Sequence, residues 1–329
     1  MHNQTHIPLV FASDESYAMP LTTALRSVVE ATNAIDYIET YILYSNFQSK
    51  SRARVVQSLP RGKLSIHWIP IDLTRFETCS TSPYISKLTY ARLLIPEIVP
   101  RRTSKVLYLD ADILVLDDLT ALQKVELNGA AVGAVLDRVD SRIKAGDTLW
   151  TSQLPCVADY FNAGVLLIDL ERWREDRISE RAFDYLSQHP RSPCSDQDAL
   201  NVACNGAWKQ LDSRWNFQND YKTQIILGSA NVRQPAIVHF NGRLKPWQIG
   251  VLDPNTRVYD EIRGRTCFAR RSRDKAEDWL KAPLRFLQSG LWWQLKRVLK
   301  RYERLRQMRL YGERLRTRYS TRVRQCRGL

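Results

Sequence analysis

The feature that most constrains this chain is an alternation. Over roughly its first third, apolar runs of strand length take turns with stretches of helical periodicity. Ile7–Ala12, Tyr37–Tyr44, Leu64–Ile71 and Val106–Leu109 read as strands, and Leu21–Thr32, Ser49–Leu59 and Tyr84–Ile98 read as helices. Strands apolar on both faces need cover on both faces, and intervening helices supply it, so the pattern predicts an α/β fold with a mostly parallel sheet. Further strands are expected at Ile113–Leu116, Ala130–Leu136, Ala163–Leu170 and Ala236–Phe240. Helices are expected at Leu170–Ser187 and Asp196–Asn205, the second opened by Ser195 as N-cap. Ligands of such sheets bind at the carboxyl ends of the strands, so residues that directly follow strands are the ones to inspect for chemistry.

Charge divides the chain unevenly. The net charge is +14, yet residues 281–329 hold 15 Lys/Arg against only Glu303 and Glu313, which leaves the rest close to neutral. In that tail Leu284, Leu287, Leu291, Leu295, Val298, Tyr302 and Leu305 recur at helical spacing, flanked by Trp292 and Trp293 and by many arginines. An amphipathic basic helix of this kind suits an anionic membrane surface; packing on the domain, or a nucleic-acid arm, are the alternatives, the last without a stacking platform or reading helix beside it. Three regions are expected: 1–250 as the main domain, 251–282 as a helical extension and 283–329 as a membrane-associating tail. The N-terminal residues lack a basic stretch followed by a long apolar one, and no run of about 18 apolar residues occurs, so the expectation is a cytoplasmic protein. Six scattered cysteines without a CxxC pair read as reduced, structural thiols.

The segment richest in chemistry is Lys105 to Leu116, where an apolar run is interrupted by Asp110-Ala-Asp112. Residues i and i+2 of an extended chain project to one side, so both carboxylates can reach one hard cation, the group a departing diphosphate needs beside it. The plainer alternative is that Asp110 caps a turn and Asp112 faces solvent. A second segment, His239-Phe-Asn-Gly242-Arg-Leu-Lys245-Pro-Trp247, begins where a predicted strand ends. His239 can be a third metal ligand, Gly242 lets backbone approach a phosphate closely, and Lys245 supplies a point charge. Taken alone, His239 also fits a strand-end histidine satisfied within the fold.

Six segments together carry a resemblance. Val10-Phe-Ala-Ser-Asp14, Leu88-Thr-Tyr-Ala-Arg92-Leu93, Leu107-Tyr-Leu-Asp110-Ala-Asp112, Tyr160-Phe-Asn162-Ala-Gly164-Val-Leu-Leu-Ile168, Asp196-Gln197-Asp198-Ala-Leu-Asn201 and His239 through Trp247 occur in this order. The chain resembles the family 8 glycosyltransferases, most of all the bacterial lipopolysaccharide and lipooligosaccharide glucosyl- and galactosyltransferases. The resemblance implies a GT-A fold, Rossmann-like with a mixed central sheet, followed here by the basic helical tail. It implies a UDP-hexose donor, a saccharide acceptor that is lipid-linked, and Mn²⁺ or Mg²⁺ held by Asp110, Asp112 and His239. It places Ala12, Asp14 and Tyr17 at the base and ribose, and Arg92, Asp110, Ala111, Asp112, Gly242 and Lys245 along the donor sugar and diphosphate. Asn162 and Gly164 fall at the acceptor and donor-sugar edge. One departure stands out: Ser16 sits where close relatives often carry Asn, which shortens or removes a ribose contact.

The same resemblance implies retention of anomeric configuration, with Asp196 orienting sugar hydroxyls and Gln197 beside the anomeric carbon. No carboxylate nucleophile is apparent, so front-face departure of UDP is the expected route, the Gln197 amide dipole stabilising an oxocarbenium-like transition state. The acceptor is expected to meet the regions around Ser141–Tyr160 and Arg214–Ser229. Two other readings compete: a glycogenin-like self-glycosylating initiator, for which no tyrosine is marked, and a basic nucleic-acid-binding protein on a degenerate sugar-nucleotide fold.

Overall fold

The computed structural model describes residues 6–270 apart from 33–36, 80, 82–85, 140–156, 158, 219–233, 243, 249–250 and 252–255, together with residues 282, 283 and 285. The leucine stripe of the tail therefore lies outside the described residues, as does most of both acceptor regions.

Four strands open the fold: β1 (His6–Asp14), β2 (Tyr37–Ser45), β3 (Leu64–Pro70) and β4 (Lys105–Leu109). Between them lie α1 (Ala18–Ala31), α2 (Ser49–Gln57) and the one-turn α3 (Ile95–Ile98). After β5 (Ile113–Val115) and α4 (Thr120–Gln123) come β6 (Val132–Leu136), β7 (Phe161–Asp169), α5 (Leu170–Glu175), α6 (Ile178–Gln188) and α7 (Asp196–Cys204). Short strands β8 (Lys209–Gln210), β9 (Phe217–Gln218) and β10 (Ile237–His239) precede α8 (Thr256–Arg263).

The main sheet has seven strands in the order β3-β2-β1-β4-β7-β6-β8. It is mixed: β1 runs parallel to β2 and β4, while β7 is antiparallel to both β4 and β6. A second sheet, β5-β10-β9, stands beside it. The chain winds outward from β1 to β3 and then returns to lay β4 on the other side of β1. The order thus reverses between β1 and β4, the place where open α/β sheets bind ligands.

Strand alternation sorts the core into two layers. Leu9, Phe11, Leu107, Leu109, Val165 and Leu167 pack with α1 and α2 on one face. Val10, Val106, Tyr108, Leu166 and Ile168 pack on the other with residues 88–95 and with α6 and α7. Each strand thus feeds both cores with alternate residues, which is why it reads as an uninterrupted apolar run. Helix α8 closes the small sheet: Tyr259 is buried edge-on to Phe240, with ring centroids 5.6 Å apart, and Trp247 packs beside it. Beyond α8, Arg54 donates to the Cys267 carbonyl at 2.6 Å, so the chain after residue 250 is bound to the sheet-and-helix body at least to this point.

Three local expectations are corrected. The segment read as a helix from Tyr84 is 3-10 over Lys87–Leu94 before α3, a tighter winding whose Thr89 and Arg92 both bond to side chains of the site. The segment read as a single helix over Leu170–Ser187 breaks after α5, where Arg177 takes a left-handed conformation (φ 52°) with neither Gly nor Pro to announce it. Ser195 does hold the N-cap position of α7, but at φ 54° its side chain makes no capping bond.

Candidate active site

Asp110 directly follows β4 and Asp112 directly precedes β5, so the turn between the two sheets is built on the Asp-Ala-Asp segment. The antiparallel pairing of β10 with β5 sets His239 opposite Ile113, and the Phe240 amide donates to the Asp112 carbonyl at 2.9 Å. His239 Nε2 thereby lies 3.5 Å from Asp110 Oδ2 and 3.3 Å from Asp112 Oδ1. One ligand atom from each residue falls within 4.8 Å of the others. Carboxylate oxygens plus one imidazole suit Mn²⁺, or with less regard for the imidazole Mg²⁺.

Gly164 is the floor of this cluster. A methyl group on its Cα would stand 2.1 Å from His239 Cε1 and 2.7 Å from Asp110 Oδ2, so these side chains close over a space only glycine leaves. The Gly164 carbonyl also accepts from the Asp110 amide at 2.8 Å. The residue expected at the donor-sugar edge thus lies directly beneath two of the three side chains of the candidate metal cluster.

Lys245 reaches the cluster from beyond β10, its Nζ 2.6 Å from Asp112 Oδ2 and 2.5 Å from the Phe240 carbonyl. Burial alone would raise the Asp112 carboxyl, but the Lys245 ammonium and His239 outweigh it and hold the group well below the usual carboxylate range. The phenol of Tyr17 is pushed far up by burial and then by Asp112, Asp110 and Asp14, and its ring meets Trp247 edge-on at 5.9 Å.

Arg92 is 5% exposed and ties the cluster to α7. Its Nη2 donates to Asp110 Oδ1 at 3.0 Å, its Nε lies 2.9 Å from Asp196 Oδ2 and its Nη1 donates to the Ala163 carbonyl at 2.6 Å. Burial works against its charge, and Asp110 and Asp196 more than restore it. Thr89 donates to the other Asp196 oxygen at 2.6 Å, and Tyr108 donates to Asp110 at 2.8 Å, with the guanidinium over its ring. Every guanidinium nitrogen of Arg92 therefore has a protein partner, an arrangement that fixes the two aspartates relative to each other.

At the end of β1, Asp14 Oδ1 accepts from the Ser16 amide, the Ser16 hydroxyl and the Tyr17 amide, capping a 3-10 turn while Oδ2 is left outside these bonds. Ala12 is half-buried and Ala111 buried. A methyl group on the Gly242 Cα would meet no heavy atom within 4 Å, and the φ of Gly242 is not positive, so neither packing nor backbone strain calls for glycine there. Gln197, at the start of α7, accepts from the Ala163 amide and donates to Asp137. Asn162, Asp137 and Asn216 are buried behind His239.

Sequence reading did not single out Asp137, Asn216, Thr89 or Tyr108. Asp137 follows β6 directly, so the strand-end rule contained the signal; Asn216, beside β9, had no such mark.

Comparison with known proteins agrees with this geometry. Residues 8–249 match Glycosyl transferase family 8, and the chain belongs to that family. It is 28% identical over 260 residues to general stress protein A of Bacillus subtilis, covering 75% of this chain and 89% of that one. It is 23% identical to lipopolysaccharide 1,2-glucosyltransferase of Escherichia coli, over 76% of this chain and 75% of the relative. The solved structure of galactosyltransferase LgtC, in complex with donor and acceptor sugar analogs, superposes with a TM-score of 0.71 at 29% identity, covering 84% of this chain and all of that one. The fold is the expected GT-A fold, and the protein is a glycosyltransferase.

Proposed function

We propose that this chain is a retaining, metal-dependent hexosyltransferase that moves galactose or glucose from a UDP-sugar to a saccharide acceptor of the lipopolysaccharide core. The observation that carries the reading is the convergence of Asp110, Asp112, His239 and Lys245 at the point where the strand order reverses. The activities of the lipopolysaccharide glucosyltransferase and the galactosyltransferase among its relatives support the sugar class.

Asp110, Asp112 and His239 would hold the cation, which when bound supplies positive charge beside the diphosphate. The Lys245 ammonium faces the same phosphates and stabilises their charge as UDP departs. Ala12, Asp14 and Tyr17, at the end of β1, would hold the base and ribose, and the open space at Gly242 admits a phosphate against the backbone. Asp196, fixed by Arg92 and Thr89, accepts hydrogen bonds from sugar hydroxyls and so sets the sugar's orientation. In the transfer, the bond from the anomeric carbon to the phosphate oxygen breaks and the acceptor oxygen bonds to that carbon on the same face. The acceptor's proton passes to the departing phosphate, and the Gln197 amide, held at both ends, presents a fixed dipole to the developing positive charge.

Residues 283–329 would attach the enzyme to the inner face of the membrane, beside a lipid-linked acceptor. Among the described residues no helix is long and apolar enough to cross a membrane. A panel of UDP-sugars, with GDP-sugars as controls, tests the donor. UDP plus Mn²⁺ should raise the melting temperature, because a ligand that binds only the folded state stabilises it. Equal shifts from GDP and UDP would remove the assignment.

A further inference from the structure

We infer that Asp137, Asn162 and Asn216 are positioning residues, a relay of side chains that keeps the proton of a neutral His239 on Nδ1 and the lone pair of Nε2 facing Asp110 and Asp112. The inference rests on the metal reading above and deepens it.

Its direction is fixed by groups that have only one possible role. The Gly164 amide can only donate, and at 3.0 Å it faces one side-chain atom of Asn162, which is therefore the oxygen. The other Asn162 atom lies 2.8 Å from Asp137 Oδ2, an acceptor when ionised, and is therefore the nitrogen. Two independent anchors thus give Asn162 the same orientation. Its oxygen takes a second bond at 2.8 Å from Asn216, which must present its nitrogen there. The Asn216 oxygen then faces His239 Nδ1 at 3.0 Å, and an oxygen at that distance requires a proton on Nδ1.

A neutral ring with its proton on Nε2 would set the Nδ1 lone pair against the Asn216 oxygen. Turning Asn216 over to relieve this would set its oxygen against the Asn162 oxygen. Turning Asn162 as well would face its nitrogen toward the Gly164 amide and its oxygen toward Asp137. All four side chains are more than nine-tenths buried, so water is poorly placed to repair any of these encounters. The relay matters because the two aspartates beside Nε2 would otherwise draw the ring proton to the very nitrogen needed as a ligand. Groups behind metal-bound histidines set tautomer and ring orientation in this way.

Asp137 has a second duty. The Ala163 amide donates to Gln197 Oε1 at 3.0 Å, which turns Gln197 Nε2 toward Asp137 Oδ2 at 3.2 Å. The Val139 amide holds the other Asp137 oxygen at 2.8 Å. One carboxylate therefore orients both the imidazole of the metal cluster and the amide beside the proposed sugar site.

The direct test is long-range proton–nitrogen correlation NMR of the histidine rings in the metal-free full chain, at a pH where the ring is neutral, with His239→Gln identifying the signal. The expected spectrum has a protonated Nδ1 and a bare Nε2; a protonated Nε2 with a bare Nδ1 overturns the relay. Calorimetric titration with Mn²⁺ gives a second measure. Asn216→Ala should bind Mn²⁺ about ten- to a hundredfold more weakly, and Asn216→Asp should not restore it, because its second carboxylate oxygen would face the Asn162 oxygen. Wild-type affinity in Asn216→Ala overturns the relay and leaves the metal site standing. Failure of the wild-type chain to bind Mn²⁺ removes the metal site itself. Should Asn216→Ala not fold, the wild-type spectrum still decides.

Discussion

Gly164→Ala places one methyl group where the structure has no room for it. The added carbon would start 2.1 Å from His239 Cε1, and ordinary contact begins at 3.4 Å, so the ring must retreat by about 1.3 Å. It has little freedom to do so. His239 is 2% exposed, is bonded to Asn216 behind it and belongs to a strand paired on both sides. Movement in the other direction is equally restricted, because the Gly164 carbonyl holds the Asp110 amide. Overpacking of this kind costs about 1–3 kcal/mol of stability. The larger effect should be functional: a misplacement of about 1 Å can cost about a hundredfold in rate, and Mn²⁺ affinity should fall with it. Gly133→Ala is the matched control. Its added carbon would start 2.7 Å from Leu127 Cδ2, the movable end of a leucine, and meets no residue of the cluster, so Mn²⁺ affinity should stay at the wild-type value. The assay is calorimetric Mn²⁺ titration of both variants alongside thermal melts and turnover. A Gly164→Ala protein with wild-type affinity and turnover would refute the reasoning.

Three further outcomes follow from the same geometry. Arg92→Met leaves the buried Asp196 and the half-buried Asp110 without their shared cation, a loss of about 3–5 kcal/mol that should lower the melting temperature by about 6–20 °C; a melt within about 2 °C of wild type would show that the pair contributes nothing. Burial, assisted at Cys194 by Asp198, pushes the Cys194 and Cys204 thiols up to about 12. At about pH 8 only one in roughly ten thousand is then a thiolate, so both should resist iodoacetamide in the native chain and react once it is unfolded; peptide mapping that finds either labelled at the rate of a free thiol contradicts this. The full chain should co-sediment with anionic but not zwitterionic vesicles, and a chain lacking residues 283–329 with neither; recovery of the full chain in the supernatant at low salt would end the membrane proposal.

The strands of the doubly covered sheet were legible because each feeds two cores and so reads as an apolar run, as in Val106 to Leu109. The acidic pair at 110 and 112 was legible for the converse reason, being the only charged residues between Val106 and Leu116. What sequence did not disclose depends on contacts between distant residues. The 3-10 winding of Lys87–Leu94 accompanies bonds from Thr89 and Arg92 to Asp196 and Asp110, and the break at Arg177 has no local breaker residue. Asn216 passes for an ordinary loop residue until β9 and β10 pair and bring it behind His239. Gly164 read as an edge of the pocket, and only the assembled cluster reveals it as the floor beneath His239 and Asp110.

The central claim is that Asp110, Asp112 and His239 act together in metal-dependent transfer from a UDP-hexose. The most direct measurement is the initial rate of UDP release from UDP-galactose and UDP-glucose by the purified chain, after EDTA treatment and again after Mn²⁺ is restored, with Asp112→Asn run in parallel. The account predicts release from at least one donor, its loss in EDTA, its return with Mn²⁺, and little recovery in Asp112→Asn although that variant melts like a folded protein. Release that continues in EDTA at the untreated rate, or an Asp112→Asn enzyme as fast as wild type, would contradict it.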